Sequence, residues 1–99
     1  MSNQLQGGMA LKSDINIIIR EGTRQDTDDI LRFQQAMASE TEGKVLDEAL
    51  LRRGITTIFD SSGKGFYLVA EVDGRLVGNL LITYEWSDWR NATFWWIQS

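Results

Sequence analysis

The stretch FYLVAEV at 66–72, Asp73-Gly74, and RLVGNLLITY at 75–84 decides how this chain folds. Both arms are rich in β-branched and aromatic residues, which suit a pleated, half-buried surface. Asp-Gly between them supplies the positive φ angles of a tight type I′ turn, so the spacing predicts an antiparallel hairpin. Gly78 inside the second arm marks a bulge or a close backbone approach. Downstream, WSDWRN at 86–91 reads as a polar-aromatic turn, and ATFWWIQS at 92–99 as a last strand.

Upstream of the hairpin, DSSGKG at 60–65 is a loop by composition. Its Ser62-Gly63-Lys64-Gly65 is the one Gly-rich basic segment, but it precedes a strand rather than a helix, so it reads as a connection and not a phosphate loop. A helix is expected over 46–59, with Leu51, Ile55, Ile58 and Phe59 on one stripe. Gly54 inside it costs about 1 kcal/mol relative to alanine. ETEGK at 40–44 is a polar break centred on Gly43. A first helix is expected over 26–39, where Ile30, Phe33 and Met37 recur at helical spacing with Leu31 and Ala38 alongside. Thr23-x-x-Asp26 opens it, and Asp26, Asp28 and Asp29 sit where a helix start favours negative charge. INIIIR at 15–20 is the opening strand.

Ninety-nine residues suffice for one domain and not for two. With 42% apolar and 24% charged residues the chain is globular rather than disordered. It has no cysteine and no histidine, which excludes disulfides, thiolate metal sites, a thiol nucleophile and a Ser/His/Asp triad within it. Asp26-x-Asp28-Asp29 resembles the start of a calcium loop. It lacks the glycine and terminal glutamate such a loop requires, so helix capping explains it and no metal site is expected. The net charge of −4 and the dispersed cations argue against nucleic acid as a partner, and Arg52-Arg53 reads as a solvated helix face. No run reaches the roughly 18 apolar residues that cross a bilayer, so no membrane partner is expected. Residues 1–14 carry no apolar signal core and read as a flexible polar tail, which points to a cytoplasmic protein.

In this order, strand, two helices, then three strands, the sequence resembles the N-terminal part of a GNAT-superfamily N-acetyltransferase. The resemblance runs over 15–99 as a portion of a single domain. It rests on IIIREGTRQDTDDILRF, ETEGKVLDEAL, FYLVAEVDGRLVGNLLIT, and EWSDWR leading into FWWIQS. Its most specific piece is Ala-Glu-x-Asp-Gly followed by a Val-Gly-x-Leu strand. It implies an α+β, truncated GNAT-like fold of order β-α-α-β-β-β, a mostly antiparallel sheet with helices packed on it. It also implies acetyl transfer from acetyl-CoA directly to a small-molecule or peptide amine, with a base or ordered water taking the proton.

In that family the strand resembling FWWIQS leads to an Arg/Gln-x-x-Gly-x-Gly/Ala loop and a helix start that hold the cofactor's pyrophosphate. The sequence reaches Ser99 before any of this, so Ser99 is the cofactor-binding candidate. An incomplete chain that is inactive alone and holds acetyl-CoA poorly is expected. Many family members place a glutamate base where Trp96 falls here, which leaves the catalytic residue unassigned. The substrate-binding candidates implied are Glu40, Glu42, Trp86, Trp96 and Gln98. Each has a plainer alternative. Glu40 and Glu42 also suit a solvated helix end, and Gln98 a polar partner for a neighbouring strand. Trp96 also suits core, and Trp95 and Ile97 are expected to be core outright. Trp86 and Trp89 suit either a pocket wall, a structural corner, or a cation–π stack with Arg90. Phe94 to Ile97 are apolar on both faces, an aggregation-prone edge if left uncovered. A homodimer through this exposed C-terminal strand is therefore expected, and a non-catalytic dimerisation module is the alternative function.

Overall fold

The Asp73-Gly74 turn forms as its residues require, with φ of +52° and +81°. In the computed structural model, which describes residues 16–61 and 63–98, it joins strands β2 (Gly65–Val72) and β3 (Arg75–Ser87). The expected bulge lies at the second arm's glycine. Ala70 pairs with Gly78 and Glu71 with Leu76, so Val77 is the extra residue on β3. Before the hairpin come β1 (Ile17–Glu21), a 3-10 turn (Arg24–Asp26), α1 (Thr27–Glu42) and α2 (Glu48–Asp60). After it comes β4 (Ala92–Ile97). The four strands form one antiparallel sheet in the order β1-β2-β3-β4, so the α+β order stands as expected. The 1–14 tail, Ile15 of the opening strand and Ser99 lie outside the described residues.

Several boundaries differ from the expectation. The first helix begins with a 3-10 turn and an α-helix from Thr27 rather than at Asp26, because Asp26 is used as a tether. Its carboxylate accepts from the Thr23 amide at 2.7 Å and from both Arg20 Nη groups at 2.8 and 2.9 Å. The helix also runs on to Glu42 and stops at Gly43, whose N–H bonds the Ser39 carbonyl at 3.1 Å. Glu40 and Glu42 are thus helical, not part of a break. The second helix starts two residues late, at Glu48, where the Asp47 side chain accepts from the Leu50 amide at 3.0 Å. β3 continues to Ser87, which moves Trp86 from the expected turn into the strand. Residues 88–91 make that turn, with Asn91 at φ +51°.

Alternation along β2 sets the core. Tyr67 and Val69 point to one face and pack with Ile30 and Leu31 of α1 and Ile55 of α2, with Leu51, Ile58, Phe59, Leu76 and Leu81 around them. Both helices therefore lie on this face. Phe33 and Met37 do not join the buried set, and Met37 is half exposed, because α1 turns its last turns towards a groove beside β3. Arg52 is less idle than a solvated face, since it bridges Asp28 of α1 at 2.6 Å and Glu48 at 3.4 Å. The Gln35 amide clamps both backbone groups of Leu46, at 2.8 and 2.9 Å, which fixes the turn between the helices. Arg24 and Asp60 pair across from the 3-10 turn to the end of α2.

Candidate functional site

The helix side of the sheet carries two features that chemistry can use. The first is a groove of about 340 Å³ between α1 and the bulged part of β3. Its walls are Phe33, Ala36, Met37 and Val77, and its polar groups come from Gln34, Glu40 and Asn79. Glu40 reaches it because α1 extends past residue 39. The bulge at Val77 shapes the opposite wall. Glu42, two residues on, pairs with Lys44 at 3.1 Å at the exposed helix end. The two glutamates therefore part company: one lines the groove, the other is solvated.

The second feature is a polar ladder across β3 and β4. Thr83 faces Trp96 in the register, and Glu85 faces Phe94, so all four share the helix side. Each polar contact is diagonal. The Trp96 indole Nε1 donates to Glu85 Oε1 at 2.6 Å, and the Gln98 amide donates to Thr83 Oγ1 at 2.8 Å. The Gln98 backbone N–H continues the pairing onto the Leu81 carbonyl at 2.7 Å. Asn79 of the groove and Thr83 of the ladder are four residues apart on one strand, about 13 Å at the usual rise. Groove and ladder thus share one open surface.

Among the residues singled out from sequence, Glu40, Trp96 and Gln98 are placed on this side. Trp86 is on the other. It lines a depression of about 560 Å³ with Gly63, Tyr84, Thr93 and Trp95. Phe66, Tyr84 and Trp95 cluster beside it, with the Phe66 and Trp95 rings edge to face at 5.4 Å. Trp89 is 95% exposed in the turn, so it walls no pocket. Trp95 and Ile97, expected in the core, and Trp96, for which a core role was open, are instead more than half exposed in this chain, since β4 is the outer strand of the sheet. Ser99 lies outside the described residues. Glu85, Thr83 and Asn79 were not singled out from sequence. Their period-2 positions on β3 were visible, but their partners follow only from the pairing register.

The electrostatics of this side are dominated by one tether. Arg20 donates through Nε to Glu71 at 2.6 Å and through its other nitrogens to Asp26. The paired guanidinium holds the Asp26 carboxyl below the ordinary carboxylate range against the opposing effect of burial. The same pairing, Asp26 first and Glu71 second, raises the Arg20 guanidinium. Burial raises the Tyr67 phenol. The helix N-termini do not fit a pyrophosphate. Asp26, Asp28 and Asp29 surround the start of α1, and Asp47 and Glu48 the start of α2, so each presents carboxylates where an anion would have to sit. Among the described residues no group of three or more acidic, His or Cys side chains is arranged to hold a metal ion, and no helix is long and apolar enough to cross a membrane.

No protein-family model matches the chain, and neither does any curated protein. Among solved structures it is similar to a possible acetyltransferase from Clostridium difficile 630, with 46% identity and a TM-score of 0.80. The match covers 84% of this chain and 55% of that one, so this chain spans little more than half of the matched protein's length. Element order, an all-antiparallel four-stranded sheet with both helices on one face, and this likeness agree: the chain has an α+β, GNAT-like fold and resembles part of a possible acetyltransferase.

Proposed function

We propose that the chain is the acceptor-side part of an N-acetyltransferase that moves an acetyl group from acetyl-CoA to a cationic amine. The groove between α1 and β3 carries this reading. It offers apolar walls and a single carboxylate, Glu40, the combination that holds an ammonium group on an apolar body. What this chain contributes is binding and orientation of the amine. The Trp96 indole, standing where a family base is common, is a donor and is already engaged by Glu85. The Gln98 amide nitrogen is likewise committed to Thr83.

The test joins this chain to the rest of the matched Clostridium difficile protein and assays acetyl transfer to a panel of primary amines. Glu40→Gln is expected to raise KM for cationic amines about tenfold, the loss of one charge-assisted contact. Absence of transfer to every amine, or an unchanged KM in the variant, contradicts the reading. One observation favours a second reading, a non-catalytic module that pairs with its own copy. β4 is an edge strand with Trp95 and Ile97 exposed. Light scattering separates the two, because a monomer at micromolar concentration removes the pairing module.

A further inference from the structure

Arginines and lysines meet most of the described carboxylates. Arg20 holds Asp26 and Glu71, and Arg52 holds Asp28 and Glu48. On the open surface shared by groove and ladder two carboxylates go unmet: among the described residues neither Glu40 nor Glu85 pairs with a cation. No lysine or arginine occurs from 76 to 85 or from 94 to 98. Glu85 is held all the same. The Trp96 indole N–H donates to its Oε1 at 2.6 Å, and a neutral donor orients the carboxylate without cancelling its charge. Phe94 stands opposite Glu85 in the register and Trp96 diagonally beside it on the same face, 41% and 52% exposed. A fixed, uncompensated carboxylate beside two aromatic side chains suits an ammonium or guanidinium group, through one ionic contact and the ring faces.

We propose that the amine acceptor is an extended dication, with one positive group seated on Glu40 in the groove and the other on Glu85 beside Phe94 and Trp96. The inference rests on the reading of this surface as the acceptor side, and it names the class of acceptor. Glu85 lies six residues beyond Asn79 of the groove on the same strand, about 20 Å at the usual rise. One ammonium therefore cannot serve both carboxylates, and a short diamine does not span them. Between the two anchors the helix side of β3 offers Leu81 and Thr83, both uncharged, which suits the neutral middle of such a molecule. A long linear polyamine has this shape, and so has an extended peptide with basic side chains about six residues apart. Two weak surface contacts on one ligand act together, since holding the first raises the effective concentration at the second.

The experiment is calorimetry at low salt on the 99-residue chain, or on its fusion to the rest of the matched protein where the chain alone shows no folded circular dichroism. The probes are spermine, a serine-rich peptide with lysines six positions apart, 1,4-diaminobutane as a dication too short to span, and butylamine. At least one of the two long dications is expected to bind tenfold or more tighter than both short amines, and the tighter of the two says whether the source is a polyamine or a peptide. Glu85→Gln, whose amide oxygen can still accept from the Trp96 indole, is expected to bring that ligand down to the affinity of 1,4-diaminobutane. Glu40→Gln is expected to do the same from the other end, which keeps the test alive if the first variant fails to fold. Asp73→Asn removes a carboxylate in the hairpin turn while keeping its turn chemistry, and is expected to change nothing. Three results overturn the proposal: long and short dications that bind alike, glutamine variants that bind as tightly as the parent, or an equal loss in Asp73→Asn. Two-anchor binding without acetyl transfer in the fusion keeps this inference and removes the proposed activity. Transfer to short amines with no preference for long dications does the reverse.

Discussion

Two residues show how single positions hold the sheet in register. Gly65 opens β2 at φ +154°, and a Cβ there would stand 2.0 Å from the Ile82 carbonyl oxygen. Gly65→Ala must move that backbone or distort its own. A loss of about 1–3 kcal/mol in urea unfolding is expected. The Arg20 fork ties β1 to the 3-10 turn and to β2 through Asp26 and Glu71. Asp26→Asn leaves Arg20 without its main partner and is expected to cost about 2 kcal/mol at neutral pH, the range for a hydrogen bond to a charged group. Because the folded Asp26 carboxyl is held down, its contribution is fully present above the ordinary carboxylate pKa of about 4. It is lost as pH falls through the lowered folded value. The stability gap between parent and variant is therefore expected to close in acid, and a gap that stays constant from neutral pH down to strong acid contradicts the tether. Neither role was legible as such. Gly65 looked like any loop glycine, and Asp26 like a helix cap, because the Ile82 carbonyl and Arg20 reach them only in the folded chain.

At the scale of elements, what is local could be read. The β2–β3 hairpin follows from Asp73-Gly74 and its flanks, and the α2 stripe of Leu51, Ile55, Ile58 and Phe59 faces the core as its spacing requires. Replacing Gly74, at φ +81°, by valine is expected to cost about 1–2 kcal/mol, the strain of a left-handed β-branched residue. Hydrogen exchange checks it, with protection lost first in the β2–β3 amides nearest the turn. Misplaced boundaries have causes of both kinds, local at the end of α1 and non-local at the end of β3. α1 runs three residues beyond 39 because glutamate and threonine sustain a helix until Gly43. β3 keeps Trp86 and Ser87 because Thr93 and Ala92 of β4 pair with them. The same pairing sets Glu85 beside Trp96 and Thr83 beside Gln98, a ladder that period-2 alternation hints at but only register fixes.

At the scale of the molecule, the order β-α-α-β-β-β and the side taken by the helices agree with the resemblance seen in the sequence, and the 46%-identical solved structure, a possible acetyltransferase, shares this fold. The apolar character of Trp95 and Ile97 suggested core, whereas β4 leaves both exposed. Hydrophobicity reports what a side chain is built to meet, and the covering layer is a property of the whole domain. The candidate site divides for the same reason. Glu40, Trp96 and Gln98 share the helix side, while Trp86 belongs to the far face. If the chain is the acceptor side of an acetyltransferase, with the cofactor's phosphates held elsewhere in the domain, one titration shows it. Acetyl-CoA is added in a calorimeter to the 99-residue chain alone and to its assembly with the rest of the related domain. Saturable micromolar binding is expected only in the assembly; micromolar binding by the chain alone, or none in the assembly, contradicts it.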